Sequence, residues 1–200
     1  MLAREYRVGT AAAALLALVV QFGAGSAAAA PLWLLAVAIA WLFRETPRSH
    51  PGHPLAVVSP VDGHVVAAGN EDDPYRQRPA HGIQLRLGWR GAFTVRSPIE
   101  GRLVEVWESA RGADEGRRGH ACCIRTDEGD EVVLVLLPRL PWALRLRVAV
   151  GERIGHGWPY GSMPLGGGAR VLVGSRSRTT CAEGERVLAG ISVVAELLHD

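Results

Sequence analysis

The sequence predicts a mainly β protein. It reads as a barrel-sandwich-like β domain with internal strand–turn repeats, preceded by an N-terminal α-helical membrane hairpin. Three observations carry this. Two uncharged apolar runs lie before residue 45. From Leu55 onward, short β-branched runs are cut by Gly and Pro about every ten residues, the rhythm of a sandwich or barrel. Two different strand–turn motifs each occur twice.

The apolar runs come first. Residues 11–22 and 27–43 carry no charge, and Gly23-Ala24-Gly25-Ser26 separates them. Each is shorter than the ~20 residues that cross a bilayer comfortably. One reading is a signal peptide opened by Arg4 and Arg7, with a small-residue cleavage site in Ala27–Ala30. A second apolar run directly after that cut favours the other reading, a hairpin. Arg4 and Arg7 precede it and Arg44 and Arg48 follow it, so both ends face the positive, cytoplasmic side. The domains are then residues 1–45 for the hairpin, 46–54 for a linker and 55–200 for the β domain. The linker holds three Pro and one Gly and reads as extended. Its His50 and His53 have no Cys or carboxylate company, so no metal is expected there.

In the β domain, Ala56–Val58, Val65-Val66, Gly82–Leu87 and Glu131–Leu137 read as strands, and residues 83–87 alternate with the period of a half-buried one. Composition excludes several chemistries. All 22 basic residues are Arg, so a lysine Schiff base and a Walker A lysine are both ruled out. The net charge of +2 offers no basic stripe for nucleic acid. Cys122, Cys123 and Cys181 form neither a C-x-x-C nor an even set, and read as small buried side chains.

Ser59-Pro60-Val61-Asp62-Gly63-His64-Val65-Val66 is repeated as Ser97-Pro98-Ile99-Glu100-Gly101-Arg102-Leu103-Val104. Gly151-Glu152-Arg153-Ile154 is repeated as Gly184-Glu185-Arg186-Val187. Duplicated units of this kind point to a barrel-sandwich related to the lipoyl and biotinyl carriers. A carrier needs a modified lysine, which this chain lacks.

Together these motifs resemble the small bacterial and archaeal type of phosphatidylserine decarboxylase. Phe43-Arg44-Glu45-Thr46-Pro47 is similar to that family's F-R-D-P exit from the membrane, and Ser59–Gly63 to its S-P-A-D-G. Residues 83–98 lie without a gap on its I-S-I-F-M-S-P-F-D-V-H-V-N-R-S-P. Residues 151–167 lie on its G-D-x-V-x-x-G-E-R-F-G-M-I-R-F-G-S, and Gly184–Gly190 on its G-Q-x-V-x-A-G.

The resemblance implies a self-cleaving proenzyme. A serine oxygen attacks the preceding carbonyl, elimination leaves a pyruvoyl group, and that group serves as electron sink for decarboxylation. A His, oriented by an Asp, activates the serine. The Asp position falls on Asp62. The His position falls on Phe93 and the serine on Gly167. Phenylalanine accepts no proton, and glycine has no oxygen for an ester. The family's E-N-E-R stretch is not recognisable in residues 113–120. Gly174-Ser175-Arg176 reads like the family's G-S-R, which makes Ser175 a displaced processing candidate; Ser162 is a weaker one. Asp62 without its His reads as a turn carboxylate, as Glu100 does in the second repeat. His64, two residues on, reads as an exposed strand residue.

The expected function is that of a decarboxylase-related membrane protein of phospholipid metabolism, non-catalytic, at a bacterial-type inner membrane with its β domain cytoplasmic. No cofactor is expected unless a displaced serine forms pyruvoyl. Membrane phospholipid is the expected partner, met by the arginines at 86, 90, 96, 139, 145 and 147, with oligomerisation alone or with an active relative. The alternatives are an active decarboxylase using a displaced serine and a non-enzymatic membrane scaffold.

Overall fold

The computed structural model describes residues 4–42, 48, 52–53, 55–88, 93–114 and 118–198. The Phe43–Pro47 motif, His50, Arg90 and Gly91 lie outside them, as do residues 115–117. The chain divides into two compact units, Met1–Pro47 and Arg48–Asp200.

The first unit is a pair of helices, α1 (Arg4–Ala24) and α2 (Ser26–Leu42). Gly25 breaks them apart with φ +88, a left-handed conformation that favours glycine. Trp33 Nε1 donates back to Gln21 Oε1 at 2.9 Å, tying the two together. Phe22, Leu34 and Leu15 are largely exposed. Among the described residues, no helix is long and apolar enough to cross a membrane.

The second unit is β. In chain order its strands are β1 (Ala56–Val58), β2 (Gly63–Asp73), β3 (Arg78–Leu87), β4 (Thr94–Arg96), β5 (Gly101–Trp107), β6 (His120–Arg125) and β7 (Glu131–Pro138). They continue with β8 (Arg145–Leu146), β9 (Arg153–Ile154), β10 (Pro159–Ser162), β11 (Gly167–Gly174), β12 (Arg178–Thr179), β13 (Arg186–Val187) and β14 (Val193–Glu196). Eight of them form one curled antiparallel sheet in the order β13-β2-β3-β11-β7-β6-β5-β9. Two three-stranded sheets, β1-β14-β12 and β4-β10-β8, accompany it.

The near-continuous apolar run of β7 follows from its place. Val132, Leu134 and Leu136 enter one core cluster, and Val133, Val135 and Leu137 enter a second on the opposite face. Successive side chains of a strand point to opposite faces, so a strand between two cores loses its polar alternation. Cys122 and Cys123 divide between the two clusters in the same way.

The repeated motifs are also repeated structures. Ser59 Oγ donates to Val61 O at 2.7 Å, and Ser97 Oγ to Ile99 O at 2.7 Å. A Cβ at Gly63 would fall on the Arg86 carbonyl oxygen, and one at Gly101 on that of Arg125. Val65 N–H donates to Glu185 O at 2.9 Å, and Leu103 N–H to Glu152 O at 3.0 Å. Each of those glutamates in turn accepts a backbone N–H three residues before it, from Ala182 at 3.0 Å and Ala149 at 3.1 Å.

Candidate functional site

A cavity of about 730 Å³ opens where β2 and β11 begin and β3, β7 and β13 end. Antiparallel pairing brings these ends together from distant parts of the chain. Gly63 pairs with both Val187 and Leu87, and Leu87 with Gly167. The next row along is basic: Arg186 pairs with His64, and His64 with Arg86. All three are exposed and line the cavity, and Arg139 joins them from the end of β7.

Asp62 stands on the cavity wall just before β2 and is 8% exposed. Its carboxylate takes a two-pronged ion pair from Arg48, with Nη1 to Oδ1 at 2.5 Å and Nη2 to Oδ2 at 2.7 Å. Ala189 N–H donates to Oδ1 at 2.7 Å, and Arg48 Nη1 also donates to Ala189 O at 2.8 Å. This fork-to-fork geometry fixes both partners. Asp62 therefore clamps the linker and the Val187–Ala189 turn to the start of β2.

Gly167 also lines the cavity, with φ +152. A Cβ built there would lie 2.5 Å from the Leu137 carbonyl oxygen and 3.1 Å from Pro138 Cα. The position thus lacks an oxygen, and the backbone leaves no room for a side chain to carry one. Pyruvoyl does not fit here. Phe93 is buried, its carbonyl accepts the Met163 N–H at 2.7 Å, and it is not in the cavity lining.

Ser175 is exposed in the turn that follows β11. It is at the opposite end of that strand from Gly167, about 25 Å away at ~3.4 Å per residue. His81 stands beside it, with Nε2 3.2 Å from the Ser175 carbonyl oxygen rather than bonded to the hydroxyl. The two share a shallow cleft of about 400 Å³ with Glu71 and Asp72. Burial pushes the Glu71 carboxyl up, against the opposing effect of Arg170. Ser162 is buried in β10.

A smaller cavity of about 170 Å³ lies on the other side of Gly167-Gly168. Two of its charged groups, Arg170 and Asp114, are buried and paired at 2.9 Å, and the exposed Arg86 borders this cavity as well as the larger one. Burial pushes the Cys122 thiol up to about 12 and that of Cys123 up to about 11, so neither is a nucleophile at neutral pH. Among the described residues, no three of His, Cys, Asp and Glu come together as metal ligands.

Two of the arginines expected on the surface have structural tasks or neighbours. Arg96 is buried and donates to Gly157 O at 2.9 Å, and Arg147 is only partly exposed. Arg48 and Arg186 carry the opposite lesson. No local pattern marks either as a site residue, because their partners lie 14 and about 120 positions away, reached by an ion pair from the linker for Arg48 and by strand pairing for Arg186.

No family profile matches the chain. Curated relatives do. The phosphatidylserine decarboxylase proenzyme of Nitrosomonas eutropha is 33% identical over 206 residues, covering 98% of this chain and 95% of the relative. That of Burkholderia lata is 33% identical over 208 residues, covering 98% and 96%. That of Nitrosomonas europaea is 32% identical over 206 residues, covering 98% and 95%.

Proposed function

The chain belongs to the phosphatidylserine decarboxylase family, and on that premise we propose that it serves phospholipid metabolism as an unprocessed, non-catalytic member. The observation that carries this reading is Gly167. It offers no oxygen for the ester and no leaving group, and its Cβ position is closed by the Leu137 carbonyl at 2.5 Å. Phe93, at the position of the base, accepts no proton. Asp62 remains, but as the partner of Arg48 it holds backbone together. Membrane association at a bacterial inner membrane, with the β unit on the cytoplasmic side, belongs to the same proposal. Its support is the apolar exterior of α1 and α2, where Phe22 and Leu34 are exposed. A pair of such helices suits partial insertion into one leaflet.

Intact mass of the purified full chain, with and without borohydride and a primary amine, tests the reading. A single chain of 21.4 kDa that takes up no amine is expected. A split at Ser162 or Ser175 with a pyruvoyl terminus overturns it. Gly167→Ser is expected to leave the chain unsplit as well, because the serine enters a closed position without its base.

One observation favours a second reading, an active enzyme processed at Ser175: the cleft that gathers Ser175, His81, Asp72 and Glu71. The same mass measurement decides it, with Ser175→Ala as the control that abolishes any split there.

A further inference from the structure

The lining of the large cavity is unbalanced in charge. Arg86, Arg139 and Arg186 all line it, and no described carboxylate pairs with any of them. Asp62 is the one carboxylate in the described lining, and Arg48 already neutralises it. Arg186, His64 and Arg86 also sit directly opposite one another across adjacent strands. The two guanidiniums thus flank His64 on one face of the sheet, two strand spacings or about 10 Å apart. An anion held between them gains attraction from both. Apolar walls from Leu87, Leu165 and Leu188 lower the local dielectric and strengthen such a pairing. Arginine forks match the oxygens of a phosphate in pairs.

We propose that this cavity binds the phosphate of an anionic headgroup and rejects headgroups that carry an ammonium. An ammonium brought in beside the phosphate meets three guanidiniums and no free carboxylate. The proposal rests on the unprocessed reading in one respect: without an electrophile at Gly167, a headgroup amine gains no bond that offsets its repulsion. The ligand chemistry is a phosphate with net negative charge, from a lipid or free in solution.

The test uses the full chain in neutral detergent, first confirmed unsplit by intact mass. Calorimetric titrations are run with dihexanoyl phosphatidic acid, dihexanoyl phosphatidylethanolamine and inorganic phosphate, the lipids below their micelle-forming concentrations. Phosphatidic acid is expected to bind at least tenfold more tightly than phosphatidylethanolamine. Arg86→Gln with Arg186→Gln is expected to weaken phosphatidic acid at least tenfold. The same pair of changes is expected to leave the unfolding midpoint where it was, since both arginines are exposed and have no carboxylate partner. Arg145→Gln, exposed and outside the cavity, leaves binding unchanged. Competition by inorganic phosphate at equal concentration assigns the site to free phosphate; competition by the lipid alone assigns it to a headgroup. Equal affinity for the two lipids, or full binding by the double variant, overturns the proposal while the unprocessed reading stands. A split chain overturns the unprocessed reading before any titration.

Discussion

The turns Ser59–Gly63 and Ser97–Gly101 are built from the same parts and end in different surroundings. Each has a buried serine that donates to the carbonyl two residues on, and each has a glycine pressed against the carbonyl of a neighbouring strand. Each is joined to a partner turn, at Gly184–Glu185 or Gly151–Glu152, through a reciprocal pair of backbone hydrogen bonds. The carboxylates between them diverge. Asp62 is buried in a cavity wall under Arg48 and the Ala189 N–H. Glu100 is exposed and meets Arg153 at the surface, at 3.0 Å. One scaffold thus serves twice, and the copy beside the ends of β3, β7 and β11 borders the large cavity. Repetition of the scaffold explains the glycines and serines; it does not explain the cavity's charge.

The largest effect is expected at the divergent carboxylates. Asp62→Ala leaves Arg48 buried without its partner and is expected to cost about 3–5 kcal/mol. Glu100→Ala, at an exposed pair, is expected to leave the urea midpoint in place. Replacing both members of the buried pair, Arg48→Met with Asp62→Leu, is expected to recover part of the loss, since the stranded charge is gone. If Asp62→Ala and Glu100→Ala shift the midpoint equally, the two turns are not different in kind.

Next come the glycines. Gly63→Ala and Gly101→Ala each push a methyl group into a strand carbonyl, and each is expected to cost about 1–3 kcal/mol or more. Similar losses from the two sharpen the equivalence of the scaffolds; a neutral result at either one removes it. Ser59→Ala and Ser97→Ala follow, at about 1 kcal/mol each for a buried hydrogen bond, measured by the same denaturation. Glu185→Ala and Glu152→Ala are the smallest. Each removes one acceptor for an N–H at an exposed turn, and about 0.5 kcal/mol is expected.

Much of this was legible along the chain. The β class, the two N-terminal helices, the strand of Glu131–Pro138 and the paired turns all follow from local pattern. So do the two family positions where Phe93 and Gly167 stand, because the absence of an oxygen or a base is a property of the residue itself. The steric closure at Gly167 was not legible, since the Leu137 carbonyl that closes it comes from a strand thirty positions away. Nor was the partner of Asp62. A turn aspartate before glycine shows nothing in the sequence of Arg48 and the Ala189 N–H, which both donate to it from distant parts of the chain. His64 read as an ordinary exposed strand residue; it is exposed, but it stands between two arginines at the cavity mouth.

The sequence by itself determined which chemistry is possible: no lysine for a Schiff base, no serine at residue 167, paired turn motifs, and a strand at residues 83–87 whose alternation marks one buried face. These depend on a residue and its near neighbours, and covalent chemistry keeps neighbours together. The tertiary structure alone decided which charges meet. Strand register places Arg186 opposite His64 and His64 opposite Arg86, and a shift of one residue would send those side chains to the other face of the sheet. An electrostatic site of this kind is a property of register and burial, because the field at a point is set by every charge near it in space, whatever their distance along the chain.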